Sequence, residues 1–179
     1  MHIVVVCGTN RDEALSRLLA KEVAESYLQL DCTVDLVDMA ELPLETLLGS
    51  AYKEQPKGTA ALVDRFLKSD GVVFVVPEYN GSFPGVLKLF VDMLPYPEGF
   101  DSRPCAFIGL AAGQFKGLRA VEHFQAVAGY RNAYMYPKRL FIGDSYTQFI
   151  DGKLSDDELT DRLTKQAQGF TKFIEQISE

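Results

Sequence analysis

Residues 71–87 read Gly71-Val72-Val73-Phe74-Val75-Val76-Pro77-Glu78-Tyr79-Asn80-Gly81-Ser82-Phe83-Pro84-Gly85-Val86-Leu87. The first six form an unbroken apolar run rich in β-branched side chains, which suits a strand covered on both faces. Pro77–Leu87 then hold two prolines, two glycines, an asparagine and a serine, the composition of a loop. Val86–Leu94 has helical character. The order is therefore buried strand, stiff polar loop, helix. Open α/β sheets bind their ligands outside the carboxyl ends of such strands. The alternative, a plain connector, usually takes two to six residues and seldom mixes rigidity with this many polar groups.

The same alternation extends in both directions. Ile3–Cys7 reads as a buried first strand. Glu13–Leu28 follows as an amphipathic helix carrying Leu15, Leu18, Leu19, Val23 and Tyr27. Thr33–Val37 is a shorter strand, Met39–Leu48 is irregular, and Ser50–Gly58 is polar. Thr59–Leu67 is a second helix, Gly71–Val76 the third strand, and about Gly85 to Leu94 the third helix. Pro95 and Pro97 stop that helix. Pro104–Ala111 is the fourth strand and Gly117–Ala128 the fourth helix. A short fifth strand is expected near Ala133–Tyr136, resuming at Arg139–Ile142. Ser155 is expected to cap a last helix, Asp156–Ile177, docked through Phe170, Phe173, Ile174 and Ile177. Five strands alternating with five helices give a doubly wound α/β sheet. At 179 residues the expectation is one flavodoxin-like three-layer α/β/α sandwich spanning residues 1–179. Its five-stranded parallel sheet would run in the order 2-1-3-4-5.

Composition narrows the function classes. Apolar residues make up 47% and charged residues 24%, ordinary for a soluble globular chain. A net charge of −7 argues against nucleic acid as a general partner. No apolar run approaches a membrane span, so no membrane is expected as a partner. Met1–Val6 looks like a first strand rather than a signal peptide, and the expected setting is reduced and cytoplasmic. Cys7, Cys32 and Cys105 are odd in number and widely spaced, against a disulfide framework or a zinc site. Only His2 and His123 are available as histidines, so neither a metal cluster nor a serine–histidine triad is expected.

The order 2-1-3-4-5 brings three unusual loops together. Loop one, Gly8-Thr9-Asn10-Arg11-Asp12-Glu13, precedes a helix whose positive end favours an anion. It is otherwise a polar turn with a surface arginine. Loop three is Pro77–Leu87, where Glu78, Tyr79 and Asn80 sit to touch a flat ligand and Gly81 permits close backbone approach. Loop four, Ala111–Gly117 followed by Leu118-Arg119-Ala120, has small residues that leave room for a ring. Gln114 and Lys116 there reach a ligand or face water. Phe115 lines a pocket or a subunit contact.

These residues resemble the NADPH-dependent FMN reductase family, a flavodoxin-like group that includes quinone, azo-dye and chromate reductases. Pro77–Gly85, with Leu87-Lys88 and Asp92 following, is similar to its PEYNxSxPGxLKxxxD signature. Gly8-Thr9-Asn10-Arg11 is similar to its Gly-Ser-x-Arg phosphate loop, and Gly113 through Arg119-Ala120 resembles its glycine-rich segment. The resemblance implies that Thr9, Arg11 and Ser16 hold the FMN phosphate. It implies that Pro77, Glu78, Tyr79, Asn80 and Gly81 contact ribityl and ring, with Gly113 near the ring. It also implies hydride transfer from NADPH or NADH through FMN to a quinone, free flavin, azo compound or metal oxyanion, with no side-chain acid or base and no metal. Ala14 departs from the pattern, because the family usually has a phosphate-binding serine there. A hydrogen bond lost to a charged group costs about 1.5–3 kcal/mol, roughly ten- to a hundredfold in affinity. The competing readings are a flavodoxin-type electron carrier and a non-redox FMN- or nucleotide-binding protein of the same fold. The resemblance further implies a homodimer or homotetramer, for which Phe83, Phe90, Tyr96 and Phe100 offer an apolar face.

Overall fold

The computed structural model describes residues 1–178. Strand β1 spans His2–Cys7, helix α1 Leu15–Leu28 and β2 Thr33–Asp38. Three short 3-10 turns then lead to α2, Lys57–Leu67. Next come β3 (Gly71–Pro77), α3 (Gly85–Met93), β4 (Pro104–Leu110) and α4 (Leu118–Tyr130). The chain ends with β5 (Tyr134–Met135), β6 (Leu140–Ile142), β7 (Phe149–Ile150), β8 (Lys153–Leu154) and α5 (Asp157–Ser178). The main sheet runs β2-β1-β3-β4-β5, the order expected, and every pairing in it is parallel.

The fifth strand is split, as the sequence suggested. β5 pairs with the start of β4 at Pro104 and Cys105, and β6 pairs with its end from Ile108 to Leu110. The chain between them, Tyr136–Arg139, leaves the ladder at Pro137, which has no backbone N–H to give.

Alternation along the central strand separates two cores. Val72, Phe74 and Val76 of β3 face a cluster built with α2, α3 and α4, including Leu62, Phe66, Phe90 and Phe124. Val73 and Val75 face the opposite cluster, built with α1 and α5 through Leu19, Val23, Leu163 and Phe170. All seven residues of β3 are buried, as a strand covered on both faces requires.

Three expectations need correction. Phe90 and Phe100 are fully buried and pack on Phe66, so they belong to the core and not to an outward face. Of the four aromatics, Tyr96 remains well exposed and Phe83 is half-covered against Phe124. The cap of α5 is Asp156, whose carboxylate accepts from the amides of Glu158 and Leu159, while Ser155 donates to the Gln148 carbonyl. Ile177 lies on the exposed side of α5, although Phe170 and Ile174 dock as expected. The β7–β8 hairpin was not anticipated. Asp151 and Gly152 turn it with φ of 49° and 78°, and the two-residue Asp-Gly loop is favoured because both central residues of a type I′ turn need positive φ.

Candidate functional site

Loops one, three and four meet at the carboxyl ends of β1, β3 and β4. The strand register continues into them. Gly8 N donates to Val75 O at 2.9 Å, Glu78 N to Leu110 O at 3.0 Å, and Ala111 N to Ile142 O at 3.0 Å. A Cβ at Gly8 would stand 2.9 Å from that Val75 carbonyl, so glycine is needed for the close approach.

Two adjoining cavities open there. The first, of about 180 Å³, lies over the start of α1 and is lined by Arg11, Ala14, Ser16, Tyr79, Ser145 and Tyr146 among others. The second, of about 430 Å³, is lined by Asn80, Gly81, Gly113, Phe115 and Arg119. Glu78, Ala111 and Ala112 border both, so the two form one cleft.

The first cavity is built to receive an anion. Helix α1 begins after Ala14, which has no side-chain cap to offer, and its first turn holds no acidic residue. Its first two N–H groups, at Leu15 and Ser16, therefore lack internal acceptors and carry the positive end of the helix dipole, while Arg17 N donates to Ala14 O at 2.9 Å. Ser16 is buried, and its Oγ makes no hydrogen bond. Its polar neighbour, the Cys7 thiol, is a weak partner, and burial pushes that thiol up to about 11. Arg11 is exposed at the rim. Arg17, one turn further on, is already spent on Asp38.

Thr9 does not line the cleft. It is fully buried, and its hydroxyl accepts the Arg11 amide at 3.1 Å and meets the Tyr79 hydroxyl at 3.0 Å. Thr9 thus fixes the backbone of loop one and ties it to loop three.

Loop three is folded by its own turn. Tyr79 N donates to Ser82 O at 2.8 Å and Ser82 N to Tyr79 O at 3.1 Å. Between them Asn80 has φ 52° and Gly81 φ 78°, a pair of positive values suited to Asn-Gly. Pro77 completes β3 and is buried beside Leu110. The Glu78 carboxylate is mostly covered. Its Oε1 lies 3.6 Å from Arg119 Nε, and its Oε2 is buried with no partner. Gly113 has open space where a Cβ would stand.

Of the nine residues expected at the site, Arg11, Ser16, Pro77, Glu78, Tyr79, Asn80, Gly81 and Gly113 line the cleft, and Thr9 supports it from behind. Ser145, Tyr146, Phe115 and Arg119 line it as well. Ser145 and Tyr146 escaped notice because they follow a three-residue strand, too short to mark a loop as functional. Ser145 N reaches Ala111 O at 3.4 Å, which seats this turn beside loop four. Among the described residues no cluster of His, Cys, Asp and Glu is arranged to hold a metal ion. No helix is long and apolar enough to cross a membrane.

Two buried carboxylate and hydroxyl oxygens without partners, an uncapped helix start and a free arginine call for a ligand with both a phosphate and hydrogen-bonding groups along its length. FMN meets that description. The model of the NADPH-dependent FMN reductase family matches residues 1–148. The chain is 32% identical over 161 residues to the NADPH azoreductase of Bacillus sp. (strain OY1-2), covering 88% of this chain and 84% of that one. It is 25% identical over 185 residues to the quinone reductase of Escherichia coli (strain K12), covering 99% and 97%. In fold it is similar to the flavoenzyme NAD(P)H:(acceptor) oxidoreductase FerB from Paracoccus denitrificans, with a TM-score of 0.81 at 23% identity over 98% of this chain and 97% of that one.

Proposed function

Because this chain belongs to the NADPH-dependent FMN reductase family, we propose that it is an FMN-dependent oxidoreductase that draws hydride from NADPH or NADH and delivers electrons to a small organic acceptor such as a quinone or azo compound. The observation that carries this reading is the pair of buried, unpartnered oxygens, Ser16 Oγ and Glu78 Oε2, on two sides of one cleft.

FMN, when bound, supplies the hydride acceptance and onward electron transfer that no side chain here provides. The chain supplies the seat. The first-turn amides of α1, the Ser16 hydroxyl and the Arg11 guanidinium suit the phosphate, two as neutral donors and one as a charged fork. Glu78 and Tyr79 suit the ribityl chain and ring edge, and Asn80, Gly81 and Gly113 the ring-side cavity. Small residues at 111–113 keep that side open for two substrates to enter in turn. Ala14 contributes no hydroxyl, which shifts the phosphate's burden to Ser16 and the backbone.

The reading extends to setting and assembly. Three free, buried cysteines suit a reducing cytoplasm. A homodimer or homotetramer would draw on surface aromatics such as Tyr96 and Tyr130, both largely exposed, and light scattering on the purified protein measures it.

Titrating the protein with FMN and then adding NADPH or NADH without oxygen tests the function. The expected result is saturable quenching of flavin fluorescence, bleaching of its absorbance by the nucleotide, and recovery on adding a quinone. A flavin-loaded sample that neither nucleotide bleaches would refute the reading.

A further inference from the structure

Arg119 stands in the first turn of α4 and is held between loop four and loop three. Its guanidinium carbon lies 3.9 Å from the centre of the Phe115 ring. Its Nε lies 3.6 Å from Glu78 Oε1. A Cβ built on Gly81 would come within 3.8 Å of its Nη1, so the fork reaches across the ring-side cavity from loop four to loop three.

Its donors are nevertheless unspent. At 3.6 Å the contact with Glu78 is an ion pair and not a hydrogen bond. Among the described residues none accepts a hydrogen bond from this guanidinium. Arg17, Arg65, Arg103, Arg131 and Arg139 each donate to a protein oxygen. Those arginines hold the fold together. The Arg11 and Arg162 side chains are exposed and also donate no hydrogen bond, but Arg119 differs from them in being fixed against Phe115 and Glu78 at a cavity wall. Glu78 faces Nε and leaves the two terminal nitrogens, the part of the fork that grips an oxyanion in two places.

Phe115 adds an apolar plane. The residue is 45% exposed, and it lines the same cavity. A flat face beside a free, oriented fork is complementary to a planar molecule with an acidic substituent. The charged residues lining this cavity are Glu78 and Arg119, so the recognition is local and acts against the chain's overall charge of −7.

We propose that Arg119, carried on Phe115, determines acceptor specificity by binding an oxyanion, so that planar acceptors bearing a carboxylate or sulfonate are preferred over neutral acceptors of the same shape. As a statement about acceptors this rests on the reductase reading above; the binding of a planar oxyanion at Arg119 does not.

The kinetic arm uses the FMN-loaded protein with NADPH and two matched azo dyes, methyl red with its free carboxylate and the methyl ester of methyl red. Intrinsic reactivity cancels when the ratio of kcat/KM for acid over ester is compared between wild type and variant. Arg119→Gln is expected to lower that ratio about tenfold or more, mainly through KM of the acid. Arg119→Lys is expected to restore part of it, because lysine keeps the charge but not the fork. An unchanged ratio, or a rise in KM for NADPH in place of the dye, overturns the proposal; the second result would assign Arg119 to the nucleotide's phosphates. The binding arm uses calorimetry without reductant, with 2-naphthoate and the neutral 2-naphthamide as probes. Naphthoate binding should weaken about tenfold in Arg119→Gln while naphthamide binding holds. If neither dye is reduced yet naphthoate binds through Arg119, the reductase reading fails and the oxyanion site stands. If both dyes are reduced at a ratio indifferent to Arg119, the reverse holds.

Discussion

Ala14 occupies the most consequential single position in the cleft. It sits at the mouth of an uncapped helix, buried, with a methyl group where a hydroxyl would serve both the helix and a phosphate. Ala14→Ser should therefore tighten FMN binding by about tenfold, the lower end of what a hydrogen bond to a charged group contributes. Fluorescence titration measures it, and no gain would mean that Ser16 and the backbone already satisfy the phosphate. A residue of another kind is Asp35. The Arg65 guanidinium, bonded to it at 2.7 and 2.9 Å, holds its carboxyl below the usual range. A carboxyl whose folded pKa is depressed stabilises the fold above its unfolded value, about 3.9, and loses that contribution as pH falls through the folded value. Asp35→Asn should flatten the acid limb of the stability curve below about pH 4, as urea unfolding across pH will reveal.

At the scale of elements, boundaries and turns carry the information. The cap of α5 is Asp156, and Asp156→Ala should cost about 1 kcal/mol in urea unfolding, while Ser155→Ala should cost less. Gly117 ends loop four at φ +85°, where a Cβ would lie 2.4 Å from Leu110 N. Gly117→Ala should cost about 1–3 kcal/mol from backbone strain alone, with the clash against β4 added to it. Strands β1 and β3 are legible because continuous β-branched runs have few other homes, β4 because its apolar run is short and bounded by Pro104 and the small residues of loop four, and α3 and α4 follow from their apolar spacing. Ser155 and Asp156 are both good caps by residue type, and only the local backbone decides between them in favour of Asp156. The β7–β8 hairpin was announced by Asp151-Gly152 but flanked by strands of two residues, too short for alternation to register. In sequence Arg119 belongs to a glycine-rich segment. Its partners Glu78 and Gly81 lie about forty residues away in sequence, and only the pairing of β3 with β4 brings them together.

For the molecule as a whole, the sheet order does most of the work. It separates two cores and gathers at one end the loops that the chain spreads over more than a hundred residues. Two aromatic rings expected at an interface, Phe90 on α3 and Phe100 in the turn after it, point inward instead: both pack on Phe66, and Phe100 also stacks on Phe74. Lys88 and Asp92 mark the outer face of α3, which leaves Phe90 inward, whereas Phe100 lies in a turn whose direction no periodicity reports. One contact spans the cleft at its base, the hydroxyl pair of Thr9 and Tyr79, seventy residues apart in the chain. It makes the phosphate end and the ring end of the site a single mechanical unit. Amides at Arg11 and at Ser82 should accordingly open to solvent in concert, and Tyr79→Phe should let them exchange deuterium on separate clocks while the strands beneath keep their protection. Cofactor arriving at one end would then be felt at the other before the ring is seated, and severing that brace should slow the second stage of FMN capture without altering the first.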